Sequence, residues 1–453
     1  MTANAPVDAA ATLREAAGRL AEAARLTPSG RIIAARGTII EAELPGVRVG
    51  DLCLLRDPDT NHSMTAEVVG FNGVTAFLAP AGDLRGISTR LEITSLGHGV
   101  SLGLGPHLLG SVIDAFGQPL DDSGARFPDL PPERREIEAA APHPLDRPAV
   151  ANPFVVGIRS IDGFLTVGRG QRLGIFGSAG AGKSTLVSDI VRAAQADVTV
   201  VGLIGERGRE VGDFLRRTLP DGKRDSTVIV TSTSDRPAVE RMRAALAATT
   251  VAEYFRDQGR NVLLIVDSVT RLARAMREIG LAAGEPPTRR GFPPSVFALL
   301  PRLFERAGTA SLGSITAFYT VLVEGDIDLD PVAEEVRSLL DGHVVLSPEL
   351  AQAGHFPAID ILESRSRLME HVATPQHVKH ASRVRELIHA YKSVELLIRV
   401  GEYKPGGDPL ADEGVAKIDA INAFLRQDSG TVTAYSETVS RLAALSAKQG
   451  PGA

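Results

Sequence analysis

The sequence predicts an α/β protein: a central domain on a mostly parallel sheet, a small β-barrel before it and a helical domain after it. Three observations predict this. Between about residues 151 and 370, buried strand-like runs (LGIFG, VTVVGLIG, STVIVTSTS, NVLLIVDS, GSITAFYTVLV) alternate with helical stretches, as they do when crossover helices join parallel strands. From about Gly30 to Ile93 the pattern is instead short apolar runs cut by turn residues, among them RIIAARGTIIEAEL, MTAEVVGF and NGVTAFLAP, which suits several short strands in a barrel or sandwich. After Pro375, Val378, Ala381, Val384, Ile388, Tyr391 and Ile398 fall on one apolar stripe at helical spacing, followed by the turn GEYKPGGDP and more helix. At 453 residues the chain is too long for one hydrophobic core, and domains of ~150 residues make about three.

The remaining segments connect these parts. Residues 8 to 26 place Leu13, Ala16, Ala17, Leu20 and Ala24 on one helical face, with Arg14, Glu15, Arg19, Glu22 and Arg25 around it. So Ala-rich a face buries little apolar area, and two readings stand: the helix packs on the chain's own body, or it docks on a partner or a membrane surface. Residues 97 to 150, rich in Gly and Pro with little periodicity beyond LLGSVIDAFG, read as a connector wrapped on the larger domain. The final QGPGA reads as a frayed tail.

Composition narrows the function classes. No apolar run approaches the ~20 residues that span a bilayer, the longest being pieces such as Val198 to Ile204 and Val262 to Val266. The N-terminus has neither a basic n-region nor a continuous apolar h-region, so a cytoplasmic protein is expected. A single cysteine, Cys53, excludes an internal disulfide and a cysteine-rich metal site, and it reads as a small buried apolar residue. A net charge of -6 gives no global attraction for nucleic acid or an anionic membrane, although arginines gather locally at Arg207, Arg209, Arg216, Arg217, Arg289 and Arg290. With no Trp and 4% aromatic residues, little is available for base stacking, and a nucleic-acid partner is not expected.

The chemistry concentrates in three places. Gly177-Ser178-Ala179-Gly180-Ala181-Gly182-Lys183-Ser184 matches G-x-x-x-x-G-K-[ST] and lies between the strand LGIF and a helix that continues through Thr185. Glycines let backbone N–H groups approach phosphate oxygens, the helix N-terminus favours negative charge, Lys183 reaches the β- and γ-phosphates, and the Ser184 hydroxyl is a ligand for Mg²⁺. The strand Val262-Leu-Leu-Ile-Val-Asp267 ends in a carboxylate, which suits the metal side of an ATP site. The strand VTVVGLIG ends at Glu206, on the sheet edge where α/β proteins bind ligands; Glu206 is the expected water-activating residue, with Arg207 from the same loop reaching γ-phosphate oxygens. Together these residues predict an enzyme that hydrolyses ATP with Mg²⁺.

The P-loop, LIGERGREV, the Asp267 strand and the run REIGLAAGEPPTRRGFPPSVFALLPRLFERAG from Arg277 to Gly308 resemble the type III secretion ATPases, relatives of the F1 and V/A rotary ATPase catalytic subunits. The likeness continues through GVRVGD, APHPLDR, SIDGFLTVGRGQRLGIFG, FYTVLVEGD, VRSLLDGHVVLS, GHFPAID and GEYKPGGDP. It implies a RecA-like P-loop NTPase core at residues 97–372, connector included, between a ring-forming barrel at 29–96 and a helical domain at 373–453, with the amphipathic helix at 1–28. It further implies a homohexamer with ATP at subunit interfaces, a Walker lysine at Lys183, a Walker B aspartate at Asp267, a catalytic glutamate at Glu206, and a trans-acting arginine finger at Arg367 in Ser364-Arg-Ser-Arg367.

The partners implied are a stator or regulator protein at the N-terminal helix, a central stalk protein, chaperone–cargo complexes and the export gate at the inner membrane. Two positions depart from the family pattern: Arg365 stands where an apolar residue is common, and Ile327 follows Gly325-Asp326 where a second Asp is frequent. Thr288-Arg289-Arg290 in the PPTRRGFPPS run is more similar to injectisome than to flagellar enzymes, so injectisome export is expected, with the flagellar enzyme and a rotary ATPase subunit as alternatives.

Overall fold

In this computed structural model the described residues are 28–447, except 61, 83, 86, 122–132, 220–221 and 326. The helix expected at 8 to 26 lies outside them. The chain divides into two compact units, one ending at Val100 and one beginning at Ser101.

In the first unit the turn-punctuated runs form six strands: β1 (Ser29–Arg36), β2 (Ile39–Glu43), β3 (Leu52–Arg56), β4 (Ser63–Asn72), β5 (Thr75–Pro80) and β6 (Glu92–Ser95). All pairings are antiparallel, and the order β1-β2-β5-β4-β3-β6 closes on itself, so the barrel leaves no sheet edge open. Inward positions alternate along each strand and supply Ile40, Leu55, Val68, Leu78 and Ile93 to one core. Cys53 is buried among them, and burial pushes its thiol up to about 12, so it behaves as an apolar side chain.

The second unit is built on a nine-stranded sheet. Its strands are β7 (Val112–Ile113), β8 (Arg172–Gly177), β9 (Val198–Ile204), β10 (Thr227–Ser232), β11 (Asn261–Asp267), β12 (Ser314–Leu322), β13 (Gly342–Leu346) and β14 (Ile359–Ser366), in the spatial order β14-β13-β8-β12-β11-β9-β10-β7, with the short pair Gly308–Thr309 beside β12. All but β14 and that short piece run parallel. The five strands expected from apolar runs are β8 to β12. Three more were hidden in the sequence. β7 lies in the LLGSVIDAFG run of the segment read as a connector and, at two residues, is too short to show a strand pattern of its own. β13 and β14 alternate buried with half-buried or exposed residues instead of running continuously apolar, because they form the outer side of the sheet.

Helices cross between the strands: α1 (Arg159–Phe164), α2 (Lys183–Ala193), α3 (Gly208–Thr218), α4 (Ala238–Asp257), α5 (Val269–Ala282), α6 (Pro294–Glu305) and α7 (Pro331–Leu339). The C-terminal stripe becomes α8 (Pro375–Arg399), started by Thr374, whose hydroxyl accepts from the His377 N–H. α9 (Pro409–Leu425) and α10 (Tyr435–Ser446) pack on it. One apolar core runs from the sheet (Ile175, Val201, Ile265) through α1 (Ile161, Phe164) into the C-terminal helices (Val384, Phe424, Leu442). Among the described residues no helix is long and apolar enough to cross a membrane.

Candidate functional site

Strand β8 ends at Gly177, and the loop turns through Gly180 and Gly182, both with positive φ (85° and 87°) that side chains disfavour. α2 then begins at Lys183. The first N–H groups of a helix lack intrahelical acceptors, so this turn aims donors and the positive end of the helix dipole at whatever lies above it. Ser184 and Thr185 are exposed on the first turn, whereas the Lys183 side chain is buried.

The parallel register brings the other residues to the same edge. Leu203 in β9 pairs with Asp267 in β11, so Glu206, three residues further on, and Asp267 emerge side by side. Both are buried, and both line a cavity of about 320 Å³ together with Ser184 and Thr185. The Lys183 ammonium forms an ion pair with Asp267 Oδ1, and the Thr320 hydroxyl of β12 donates to the same oxygen at 2.6 Å. Asp267 is thus held by two donors. Burial first, then Glu210, then the Asp267 charge hold the Glu206 carboxyl well above its ordinary range, while Lys183 and Arg271 act in the opposite sense.

Arg271, on α5 one turn beyond Asp267, was not singled out from the sequence. Its guanidinium meets Glu206 Oε2 at 3.0 Å and donates to the Gly205 carbonyl, so it grips both ends of the bend that presents Glu206. Gly205 (φ 67°) permits that approach: a Cβ there would lie 3.1 Å from Arg271 Cδ. The only sequence signal is spacing, an arginine four residues after the strand-end carboxylate. Phe356 was missed as well. The loop after β13 brings its ring, 44% exposed, beside Gly182, where an added Cβ would meet it at 3.4 Å.

The remaining predicted residues lie apart. Arg207 is exposed, with Glu210 4.0 Å away. Arg367 stands at the opposite edge of the sheet: its N–H donates to the Asp341 carbonyl, and the Asp341 N–H donates to the carbonyl of Arg172, the first residue of β8. Five strand residues at ~3.3 Å each put it roughly 17 Å along the sheet from the end of β8, where the P-loop begins. Arg365, near the end of β14, and Arg367, just past it, are both exposed, while Ser364 is buried.

The donor set fits a small hard cation: one hydroxyl, Ser184, and one carboxylate, Asp267, on the same cavity wall. Among the described residues there is no cluster of three or more His, Cys, Asp or Glu that could form an all-protein metal cage.

A parallel sheet with a P-loop and buried Lys, Asp and Glu at one edge defines the class of the protein: a P-loop nucleoside-triphosphate hydrolase. Known proteins place it more closely. The family model described as "ATP synthase alpha/beta family, nucleotide-binding domain" matches residues 157–366, and that described as "T3SS EscN ATPase C-terminal domain" matches 373–444. The chain is 54% identical over 410 residues to a type 3 secretion system ATPase of Sinorhizobium fredii, covering 90% of each chain. It is 44% identical over 422 residues to a flagellum-specific ATP synthase of Bacillus subtilis, covering 93% of this chain and 95% of that one. It superposes on the assembled ATPase EscN of the enteropathogenic E. coli type III secretion system with a TM-score of 0.88 at 48% identity, covering 92% of this chain and all of that one. For EscN in complex with its central stalk EscO, with the same coverage, the TM-score is 0.84 at 47% identity. The chain belongs to the type 3 secretion system ATPase family, and it is an ATP-hydrolysing enzyme.

Proposed function

We propose that this ATPase works as a homohexamer that energises type III protein export by an injectisome, releasing chaperones and unfolding cargo for delivery to an export gate at the inner membrane. The observation that carries the ring is the separation of Arg367 from its own P-loop by the length of the sheet: a finger placed there serves the next subunit. That EscN has been solved as an assembled ATPase supports an assembly of this chain, and its complex with EscO supports a central stalk partner. The segment 1–28 is the proposed docking point for a stator or regulator, the proposed location is the cytoplasm at the inner membrane, and the proposed division is 1–28, 29–96, 97–372 and 373–453.

In the proposed mechanism ATP phosphates lie on the P-loop from Gly177 to Thr185, and the Lys183 ammonium turns from Asp267 to the β- and γ-phosphates. Ser184 and Asp267 would hold Mg²⁺, which when bound would supply charge neutralisation to the phosphate oxygens. Thr320 keeps one Asp267 oxygen fixed. Glu206, poised by Arg271, orients the attacking water, and its raised proton affinity suits it to take a proton as the water attacks. Phe356 offers a ring face for adenine. Arg207 approaches the γ-phosphate from its exposed loop, and Arg367 of the adjacent subunit meets the charge that develops in the transition state.

The test is made in the native bacterium with Lys183→Ala at the chromosomal locus. Loss of effector secretion with normal swimming is expected. Loss of swimming instead assigns the flagellar system, and an unchanged phenotype in both assays removes the export reading.

A further inference from the structure

Strand β14 does not pair evenly with β13. Val345 faces Asp360 and His343 faces Arg365, so one residue of β13, Val344, is opposed by the four residues Ile361–Ser364. The strand carries a bulge just before its arginines. A bulge leaves backbone groups that the ladder cannot pair, and these need other partners.

The partner here comes from the C-terminal helices. Arg385 of α8 donates from Nη1 to the Ile361 carbonyl and, at 3.2 Å, to the Ser364 carbonyl, and from Nη2 to the Phe164 carbonyl of α1 at 3.0 Å. Its guanidinium also lies over the Phe164 ring, 5.8 Å from the centroid. Within the bulge the Ser364 hydroxyl donates to the Asp360 carbonyl and accepts from the Val345 N–H at 2.9 Å. Two turns further along α8, Lys392 pairs with Asp360 at 3.1 Å, a second grip at the start of the bulge. Two cations on one helix therefore hold Asp360–Ser364, and the next residues are Arg365, Ser366 and Arg367.

We propose that Arg385 is a positioning residue for the arginines at the end of β14 and just past it: by clasping the bulge to α8 it sets where Arg365 and Arg367 stand, and it passes movement of the C-terminal helices to the nucleotide on the adjacent subunit. This rests on the reading of Arg367 as a finger acting between subunits. A planar guanidinium suits the task, because its fixed fork reaches three carbonyls on two elements at once. Buried carbonyls without a partner would relax toward other donors, and a shift of ~1 Å in a charge-stabilising group can cost about 100-fold in rate.

The test uses full-length Arg385→Met, Arg367→Ala and Lys183→Ala chains, assembled alone and in equimolar pairs, with ATP turnover, affinity for a fluorescent ADP and thermal melting read on each. Arg385→Met is expected to turn over about tenfold or more slowly while ADP affinity stays within about twofold of wild type. It should regain turnover when mixed with Lys183→Ala, which supplies an intact finger, and regain none when mixed with Arg367→Ala, which does not. A merely structural lesion would not separate those two mixtures. Turnover within about twofold of wild type overturns the proposal, as does failure of Lys183→Ala to restore Arg385→Met while it restores Arg367→Ala. If Lys183→Ala fails to restore Arg367→Ala, the reading between subunits falls and takes the proposal with it. Should methionine prevent folding, Arg385→Lys carries the test: it keeps the charge but not the fork, and it is expected to be several-fold slower with the same mixing pattern. A wild-type rate for that variant overturns the proposal.

Discussion

The two edges of the central sheet are built from opposite materials. At the carboxyl edge Lys183, Glu206 and Asp267 are buried and engaged with one another or with Thr320 and Arg271. At the amino edge Arg365 and Arg367 are exposed, and the Arg367 guanidinium has one long contact, 3.4 Å, to the Arg337 carbonyl. Buried charges need partners because desolvation is costly, so the first edge assembles its site within one chain. An exposed arginine is fully solvated and loses little by waiting for an external anion. In the proposed ring this difference is a division of labour: one edge of each chain would hold a nucleotide and the other would serve a nucleotide held by its neighbour.

Substitutions on the two edges sharpen or break that comparison. The two largest effects are expected at Glu206 and Arg367: Glu206→Gln should lower kcat by about 1000-fold with ATP still bound, read by steady-state turnover and by binding of a fluorescent ADP. Hydrolysis at the wild-type rate would remove Glu206 from the water-orienting role. Arg367→Ala should cost about 1000-fold in kcat and leave each subunit's own ADP affinity unchanged; a fall in affinity as large as the fall in rate would mean that the two edges are not separate.

A smaller loss, about tenfold in kcat, is expected for Arg271→Ala, which frees the bend that presents Glu206 without removing the carboxylate. For Phe356→Ala the change belongs in KM: a lost stacking face costs about 1 to 3 kcal/mol, so KM for ATP should rise about tenfold with kcat nearly constant. A selective loss of kcat would show that the ring does not face the base.

The smallest effect concerns stability. Asp162 of α1 is fully buried, accepts from the Val156 and Gly157 N–H groups at 3.0 and 2.8 Å, and is pushed up to about 7 by burial against the pull of those bonds. A carboxyl whose folded value exceeds its unfolded value of about 3.9 stabilises the fold fully below that value, and the contribution is lost as pH rises toward about 7. The wild type should therefore lose stability relative to Asp162→Asn between about pH 4 and 7, followed by denaturation midpoints at stepped pH. A gap that does not vary with pH would contradict the buried titration.

How much of this was legible in the sequence follows from range. The P-loop is eight consecutive residues, and β9 and β11 are continuous apolar runs that end at or just before Glu206 and Asp267, so local pattern sufficed. Arg271 matters only because β9 and β11 are neighbours in the sheet, a fact carried by register and not by any run of letters. Phe356 arrives at Gly182 from more than 170 residues away, on a loop without periodicity. The run ESRSR drew attention for its arginines, but the bulge before it, and the helix that holds the bulge, come from pairing with β13 and packing against α8.

The central claim, that the two edges serve different nucleotides, is tested most directly by mixing Lys183→Ala chains with Arg367→Ala chains before assembly and measuring ATP turnover. Each alone should be nearly inactive, and the mixture should recover a substantial fraction of wild-type turnover, because some intact P-loops then face intact fingers. A mixture as inactive as its components would show that Arg367 does not act on the neighbour's nucleotide, and the division between the edges would be wrong.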